Sequence, residues 1–293
     1  MPEDLQEHSR EQITNIAGYQ FSKIDDVTKV FENAQAICNK THIKGNIFIS
    51  PEGINLGLAS SQSDIEYFLE KLDSLCGLNN LLLNTTYSDY IPFKRLLIKV
   101  RNELVPTKPL PSDHPGSPAS LSASKSMLKN IDVIEKNAQY ISNDELKKWL
   151  DDGKDITLLD MRNEFEVDLG SFENATHLKI RNFRDIIQLE SELNEIPKDK
   201  PLVTFCTGGI RCEKGANLLA QNGFDQVFQL EGGIIKYIEK YKNNHWRGEC
   251  FVFDDRVCLD TNLKPSNTKI CRHCQIVIAD TDNEYCDDCA HLA

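Results

Sequence analysis

The densest chemistry in the chain sits in six consecutive residues, Cys206-Thr207-Gly208-Gly209-Ile210-Arg211. The strong nucleophile among them is the Cys206 thiol, which reacts as its thiolate. Two adjacent glycines let the backbone curl until successive N–H groups point inward, a concavity that holds negative charge. The apolar run Val203-Thr204-Phe205 comes just before, and a helical pattern begins near Glu213. Cys206 therefore stands at the carboxyl end of a strand and faces a helix N-terminus, whose partial positive charge favours an anion. Arg211 adds a full cation. An inert core cysteine needs neither the glycines nor the arginine. Cys212 follows closely, either as a wall of the pocket or as a second thiol that exchanges a disulfide or persulfide with Cys206.

A second group lies near the carboxyl end. Cys271-x2-Cys274 and Cys286-x2-Cys289 have the spacing of two zinc knuckles, each placing two thiolates on one tight turn. Four cysteine ligands fill a tetrahedral ion, which predicts a structural zinc without an open catalytic position. His273 and His291 read as surface residues. Cys250 and Cys258 are too far apart for a knuckle and read as core or as a second part of the site. Cys38 and Cys76 fall on apolar helix faces and read as core.

The elements that must hold the loop can be read outward from it. Ile156–Asp160, Pro201–Phe205 and Val227–Leu230 are short, continuously apolar runs of the kind buried on both faces of a parallel sheet. A capping-box pattern at Ser142-Asn143-Asp144-Glu145 opens a short helix, and helical patterns at Glu164–Asp168, Phe183–Leu193 and Glu213–Gln221 fit between the strands. Residues 140–245 thus predict a parallel-sheet α/β domain.

Residues 1–105 alternate differently. Strands at Gly18–Ile24, Ile43–Ile49, Ile54–Ala59, Leu81–Tyr87 and Phe93–Arg101, with helices at Asp25–Asn39 and Ser63–Leu75, give β-α-β-β-α-β plus one strand, a ferredoxin-like α+β domain. In the last strand Leu96, Ile98 and Val100 face one way, while Arg95, Lys99 and Arg101 face the other. With Lys94 they form a basic stripe on the face the helices leave open. That stripe is either a solvated exterior or a surface that tracks phosphates. Residues 106–139, rich in Pro and Ser and without periodicity, read as a linker or arm. Residues 246–293 form the small Cys-rich, zinc-binding tail.

A length of 293 residues suits two compact domains and a small third part. The amino-terminal residues have no basic, apolar leader, and no apolar run is long enough to span a bilayer, which predicts a cytoplasmic protein free of the membrane. In that compartment ten cysteines indicate metal binding and catalysis ahead of disulfides. A net charge of −12 excludes a protein that coats nucleic acid nonspecifically, so an RNA partner has to be gripped by a local basic patch with salt-sensitive affinity. No haem, flavin or non-haem-iron signature is evident, nor any other organic cofactor.

The stretch from Ser142 to Tyr241 resembles the rhodanese family. Leu158-Leu159-Asp160-Met161-Arg162-Asn163-Glu164-Phe165-Glu166 looks like that family's opening motif, and Gly170-Ser171-Phe172-Glu173-Asn174-Ala175 like the following turn. The Cys206 loop and the closing Leu230-Glu231-Gly232-Gly233-Ile234 complete the match. Ser171 stands where many members have histidine. Related phosphatase loops are Cys-x5-Arg, whereas this one is Cys-x4-Arg, a tighter ring that suits a sulfur substituent and disfavours phosphatase activity.

The whole chain resembles the rhodanese-domain tRNA uridine hydroxylases. The residues that carry this are Lys44-Gly45-Asn46-Ile47, Ser50-Pro51-Glu52-Gly53-Ile54-Asn55, Pro92-Phe93-Lys94-Arg95-Leu96, the run Cys206 to Lys214, and the block His245-Trp246-Arg247-Gly248-Glu249-Cys250-Phe251-Val252-Phe253-Asp254-Asp255-Arg256. The resemblance implies hydroxylation of the wobble uridine in a tRNA anticodon loop, with molecular oxygen as co-substrate and the loop cysteine essential. On the residues alone, a thiosulfate or persulfide sulfurtransferase and a noncatalytic redox or zinc adaptor stay open.

Overall fold

The computed structural model describes residues 12–107, 138–188, 190–271, 273, 274, 276–278 and 284–292, and the bulk of the expected linker lies outside them. The chain divides into two units, Met1–Asn102 and Glu103–Ala293.

The first unit runs β1 (Ile13–Phe21), α1 (Val27–Cys38), β2 (Lys44–Ser50), β3 (Gly53–Ser60), α2 (Gln62–Cys76), β4 (Leu82–Ser88) and β5 (Leu96–Val100). The sheet order is β4-β1-β3-β2-β5, the ferredoxin-like arrangement with β5 added alongside β2 in parallel. β1 starts at Ile13, ahead of the expected Gly18, because its pairing with β3 extends from Phe21↔Gly53 back to Thr14↔Ser60. Asp26 and Ser61 cap the two helices by accepting from Lys29 and Asp64 N–H groups. Val30, Ala34 and Ile37 of α1 and Ile65, Phe68 and Leu72 of α2 bury their stripe against Ile47, Ile49, Ile54, Leu56 and Leu58 of the sheet.

The face away from the helices is not uniformly open. Asn15, Tyr19, Asn84 and Thr86 are buried there. The chain after β4 folds back, so that the Phe93 ring lies 3.8 Å from where a Cβ on Gly57 would stand, and Ser88 Oγ donates to the Tyr90 carbonyl. The basic side chains lie at the β5 edge and are exposed.

The second unit runs β6 (Gln139–Ile141), α3 (Asn143–Asp151), β7 (Thr157–Asp160), α4 (Glu164–Leu169), β8 (Gly170–Phe172), β9 (Thr176–His177), a 3-10 turn (Phe183–Gln188), α5 (Glu190–Asn194), β10 (Leu202–Phe205), α6 (Ile210–Gln221), β11 (Val227–Leu230) and α7 (Gly233–Tyr241). Five parallel strands in the order β6-β11-β10-β7-β9 put β10, the strand that ends at Cys206, in the middle. The single helix expected over Phe183–Leu193 is instead the 3-10 turn followed by α5.

Three further pairs follow. β12 (Trp246–Gly248) adds antiparallel to β8, β13 (Cys250–Phe251) pairs with β14 (Cys258–Leu259), and β15 (Lys269–Ile270) pairs with β16 (Val277–Ile278). Trp246, Cys250, Val252 and Leu259 fall within the expected tail at 246–293 but belong to the same apolar cluster as Phe172, Val203 and Phe205. The reason is the long-range β12–β8 ladder, which draws this segment into the α/β core. Cys271, Cys286, Cys289 and Ile278, with Tyr285, form a separate small cluster. The segment after Asn102 also belongs to the second unit: Leu104, Val105 and Thr107 are buried, and Lys214 Nζ donates to the Val105 carbonyl at 2.9 Å. Among the described residues, no helix is long and apolar enough to cross a membrane.

Candidate active site

Phe205 closes β10 between β7 and β11, and its ring meets Phe172 edge-on at 4.9 Å. Phe172 in turn packs edge-on against Tyr237 and Trp246, at 4.7 and 5.4 Å. Four aromatic rings thus wedge the strand end from which Cys206 emerges. Beyond the cysteine, Gly209 takes φ +100°, a left-handed conformation that disfavours any side chain, and it serves as the N-cap of α6. A glycine offers no side-chain oxygen, and the Gly209 N–H donates to Cys206 Sγ at 3.1 Å. The helix consequently starts at Ile210, three residues before the expected Glu213, and Arg211 and Cys212 occupy its first turn.

The start of α7 closes on the loop from the opposite side. Ile234 and Ile235 donate backbone N–H bonds to the carbonyls of Cys206 and Thr207, at 3.0 and 3.2 Å. Only a glycine fits at 233, where a Cβ would stand 2.5 Å from the Cys206 carbonyl oxygen and φ is +68°. That close approach accounts for the second glycine of the closing motif, and the first, Gly232, has φ +69°.

Cys206 is fully buried. Burial by itself would raise its pKa. A hydrogen bond from the Cys212 thiol outweighs it, together with the Arg211 charge and the backbone N–H groups of Arg211 and Gly209, and the pKa falls to about 6. Cys212 is pushed the other way, by its own burial and by its bond to Cys206. At neutral pH the pair is therefore one thiolate and one thiol. Glu166 holds the arginine with a bidentate fork, Nη1 to Oε2 at 2.6 Å and Nη2 to Oε1 at 2.9 Å. Burial works against the guanidinium charge, but Glu166 more than offsets it and raises its pKa. Beside this pair, Arg162 and Asp160 form a second buried ion pair, and Ser171 Oγ donates to Asp160 at 2.8 Å.

Of the expected loop residues, Gly209, Arg211 and Cys212 act directly on the sulfur. Glu166 is a residue of this site to which its sequence context assigns no role. It is fully buried, orients Arg211, and accepts the Asn163 N–H at 3.1 Å at the start of α4. The available signal was its position three residues after Asn163, a capping spacing ahead of an apolar pattern. Cys250 and Cys258 are core thiols, their pKa values pushed up to about 12 chiefly by burial. Lys94, Arg95, Lys99 and Arg101 lie in the first unit, and the Arg101 guanidinium sits 4.0 Å over the Phe48 ring.

The sulfur atoms of Cys271, Cys274, Cys286 and Cys289 all lie within 4.8 Å of one another, and the cysteines are unoxidised. Zn–S bonds of about 2.3 Å in a tetrahedron set sulfurs roughly 3.8 Å apart, so the four residues fit a metal ion of that kind.

Two domain families match the chain: the UPF0176 acylphosphatase-like domain at residues 13–104 and the rhodanese-like domain at residues 142–240. The protein named tRNA uridine(34) hydroxylase from Cupriavidus necator is 34% identical, over 93% of this chain and 92% of its own length. Its namesake from Cupriavidus taiwanensis is 35% identical, over 91% of this chain and 90% of its own. A solved rhodanese-related protein from Thermoplasma volcanium is 28% identical and covers 35% of this chain and 93% of its own, with a TM-score of 0.30. With such identity sustained across both units and the carboxyl segment, the chain belongs to the tRNA uridine(34) hydroxylase family.

Proposed function

We propose that this chain is a cytoplasmic tRNA-modifying oxidoreductase that hydroxylates the wobble uridine of the anticodon loop to 5-hydroxyuridine, with Cys206 as nucleophile and molecular oxygen as co-substrate. The observation that carries the reading is a thiolate at the centre of inward-facing amides, charged at neutral pH and flanked by a locked arginine. Such a sulfur adds to C6 of uracil and pushes the C5=C6 electron pair toward the C4 carbonyl. C5 becomes electron-rich and takes one oxygen atom from O2. The second oxygen atom leaves as water with two electrons and two protons from a thiol reductant. Loss of the C5 proton and departure of the Cys206 sulfur restore the ring. A wobble base is already unpaired, so it enters a pocket without the cost of melting a helix. Because Cys206 is buried, that entry requires the loop wall to part.

The exposed Lys94, Arg95, Lys99 and Arg101 are the proposed grip on tRNA phosphates, and Cys271, Cys274, Cys286 and Cys289 the proposed ligands of a structural zinc. The test incubates wild type and Cys206→Ala with unmodified tRNA, under air and under argon, and reads 5-hydroxyuridine by nucleoside mass spectrometry. Product is expected only from wild type in air. Equal yields from the two proteins would remove the thiol from the chemistry. Thiosulfate turnover with no 5-hydroxyuridine would replace the reading by a sulfurtransferase.

A further inference from the structure

The block His245 to Arg256 lies beyond the rhodanese-like match at 142–240, yet its Phe253 reaches the arginine of the thiol loop. The β13–β14 hairpin lies beside α4. There Phe251 meets Phe165 edge-on at 5.0 Å, and Phe253 meets Phe251 edge-on at 4.9 Å. The Phe253 ring is thereby held 5.7 Å from the Arg211 guanidinium. At 62% it is the most exposed large apolar side chain among the described residues. A ring braced by Phe251 and turned to water beside the arginine of a reactive loop has nothing to do for the core.

We propose that Phe253 is the platform on which the target pyrimidine base of the RNA stacks before it reaches Cys206. The inference deepens the proposed function and rests on it for the identity of that base. A flat ring with a free face accepts any unpaired base, and the fixed guanidinium beside it adds cation–π attraction. Phe253 binds and places the base, and the thiol loop selects what reacts.

The experiment compares Phe253→Leu and Phe253→Tyr with wild type, each as the full chain. It measures steady-state 5-hydroxyuridine formation on unmodified tRNA, Cys206 alkylation and thermal unfolding. A parallel arm photocrosslinks an anticodon stem-loop carrying 5-iodouridine at the target position. Phe253→Leu is expected to raise KM by about 5- to 150-fold with kcat largely kept, because a stacked base contributes to ground and transition states alike. Phe253→Tyr keeps the ring and stays within about threefold of wild type. Alkylation and unfolding are unchanged in both, and the crosslink maps to Phe253. A wild-type KM in Phe253→Leu, or equal losses in both variants, overturns the platform. If wild type forms no 5-hydroxyuridine but the crosslink still maps to Phe253, the platform stands and the hydroxylation reading falls; a crosslink elsewhere overturns the platform.

Discussion

Arg211 helps to hold Cys206 charged, after the Cys212 thiol, and Glu166 acts on the sulfur only by holding that arginine in place. Arg211→Met removes the cation beside the sulfur, so the midpoint of Cys206 alkylation against pH moves up from about 6 toward the usual thiol value of 9.0. It also strands the buried Glu166 carboxylate, at a cost of about 3–5 kcal/mol of stability. Adding Glu166→Gln recovers part of that stability and none of the midpoint. A double variant whose midpoint returned to that of wild type would show that Arg211 does not set the thiolate. Linkage gives a second expectation. The Cys206 pKa is depressed on folding, from a usual thiol value of 9.0 to about 6, so the stabilisation it supplies is complete above about 9 and is lost as pH falls to 6. The stability gap between wild type and Cys206→Ala in urea should narrow across that window. Restricted access slows the alkylating reagent at every pH without moving the midpoint.

At the scale of elements, the loop is held by the strand end behind it and by α7 above it. Gly233→Ala drives a Cβ into the Cys206 carbonyl and forces φ +68° on a residue with a side chain. A loss of about 1–3 kcal/mol follows, read by urea denaturation, along with slower Cys206 alkylation as the Ile234 bond to the loop lengthens. Gly223→Ala shares the left-handed φ but meets nothing within 4 Å, so it should spare the thiol. These elements were largely legible in the sequence. The short apolar runs gave the parallel strands, period-two and helical patterns gave the first unit, and the glycine pair gave the curled loop. Three things were not legible, each for a physical reason. The start of α6 at Ile210 was hidden because a sulfur satisfies a backbone donor where a side-chain oxygen is the usual signal. The role of Glu166 depends on a partner forty-five positions away. The place of Trp246 to Leu259 depends on a strand ladder to β8, and no local pattern in either segment announces a pairing so distant in sequence.

At the scale of the whole molecule, separate parts carry separate tasks, and each can be removed while the others are watched. The cluster of Cys271, Ile278, Cys286 and Cys289 is too small to order itself by apolar burial, and the proposed zinc would supply that stability. One zinc per chain is expected by elemental analysis. Cys274→Ser or chelation should release it and leave Cys206 alkylation unchanged, whereas full-length protein without zinc and with the same protection of this segment from proteolysis would refute the site. The proposed tRNA surface is tested by salt. A chain of net charge −12 repels a polyanion at long range, so binding has to come from a few local cations. Lys94, Arg95, Lys99 and Arg101 are exposed at the β5 edge, while Leu96 and Ile98 of the same strand pack on the core, so the charges can be removed without touching the fold. Changing all four to glutamine should flatten the slope of log affinity against log salt by about 3 to 4, the counterions four phosphate contacts release. If affinity and slope both stay at wild-type values, the strand is only a solvated exterior and the grip on tRNA lies elsewhere.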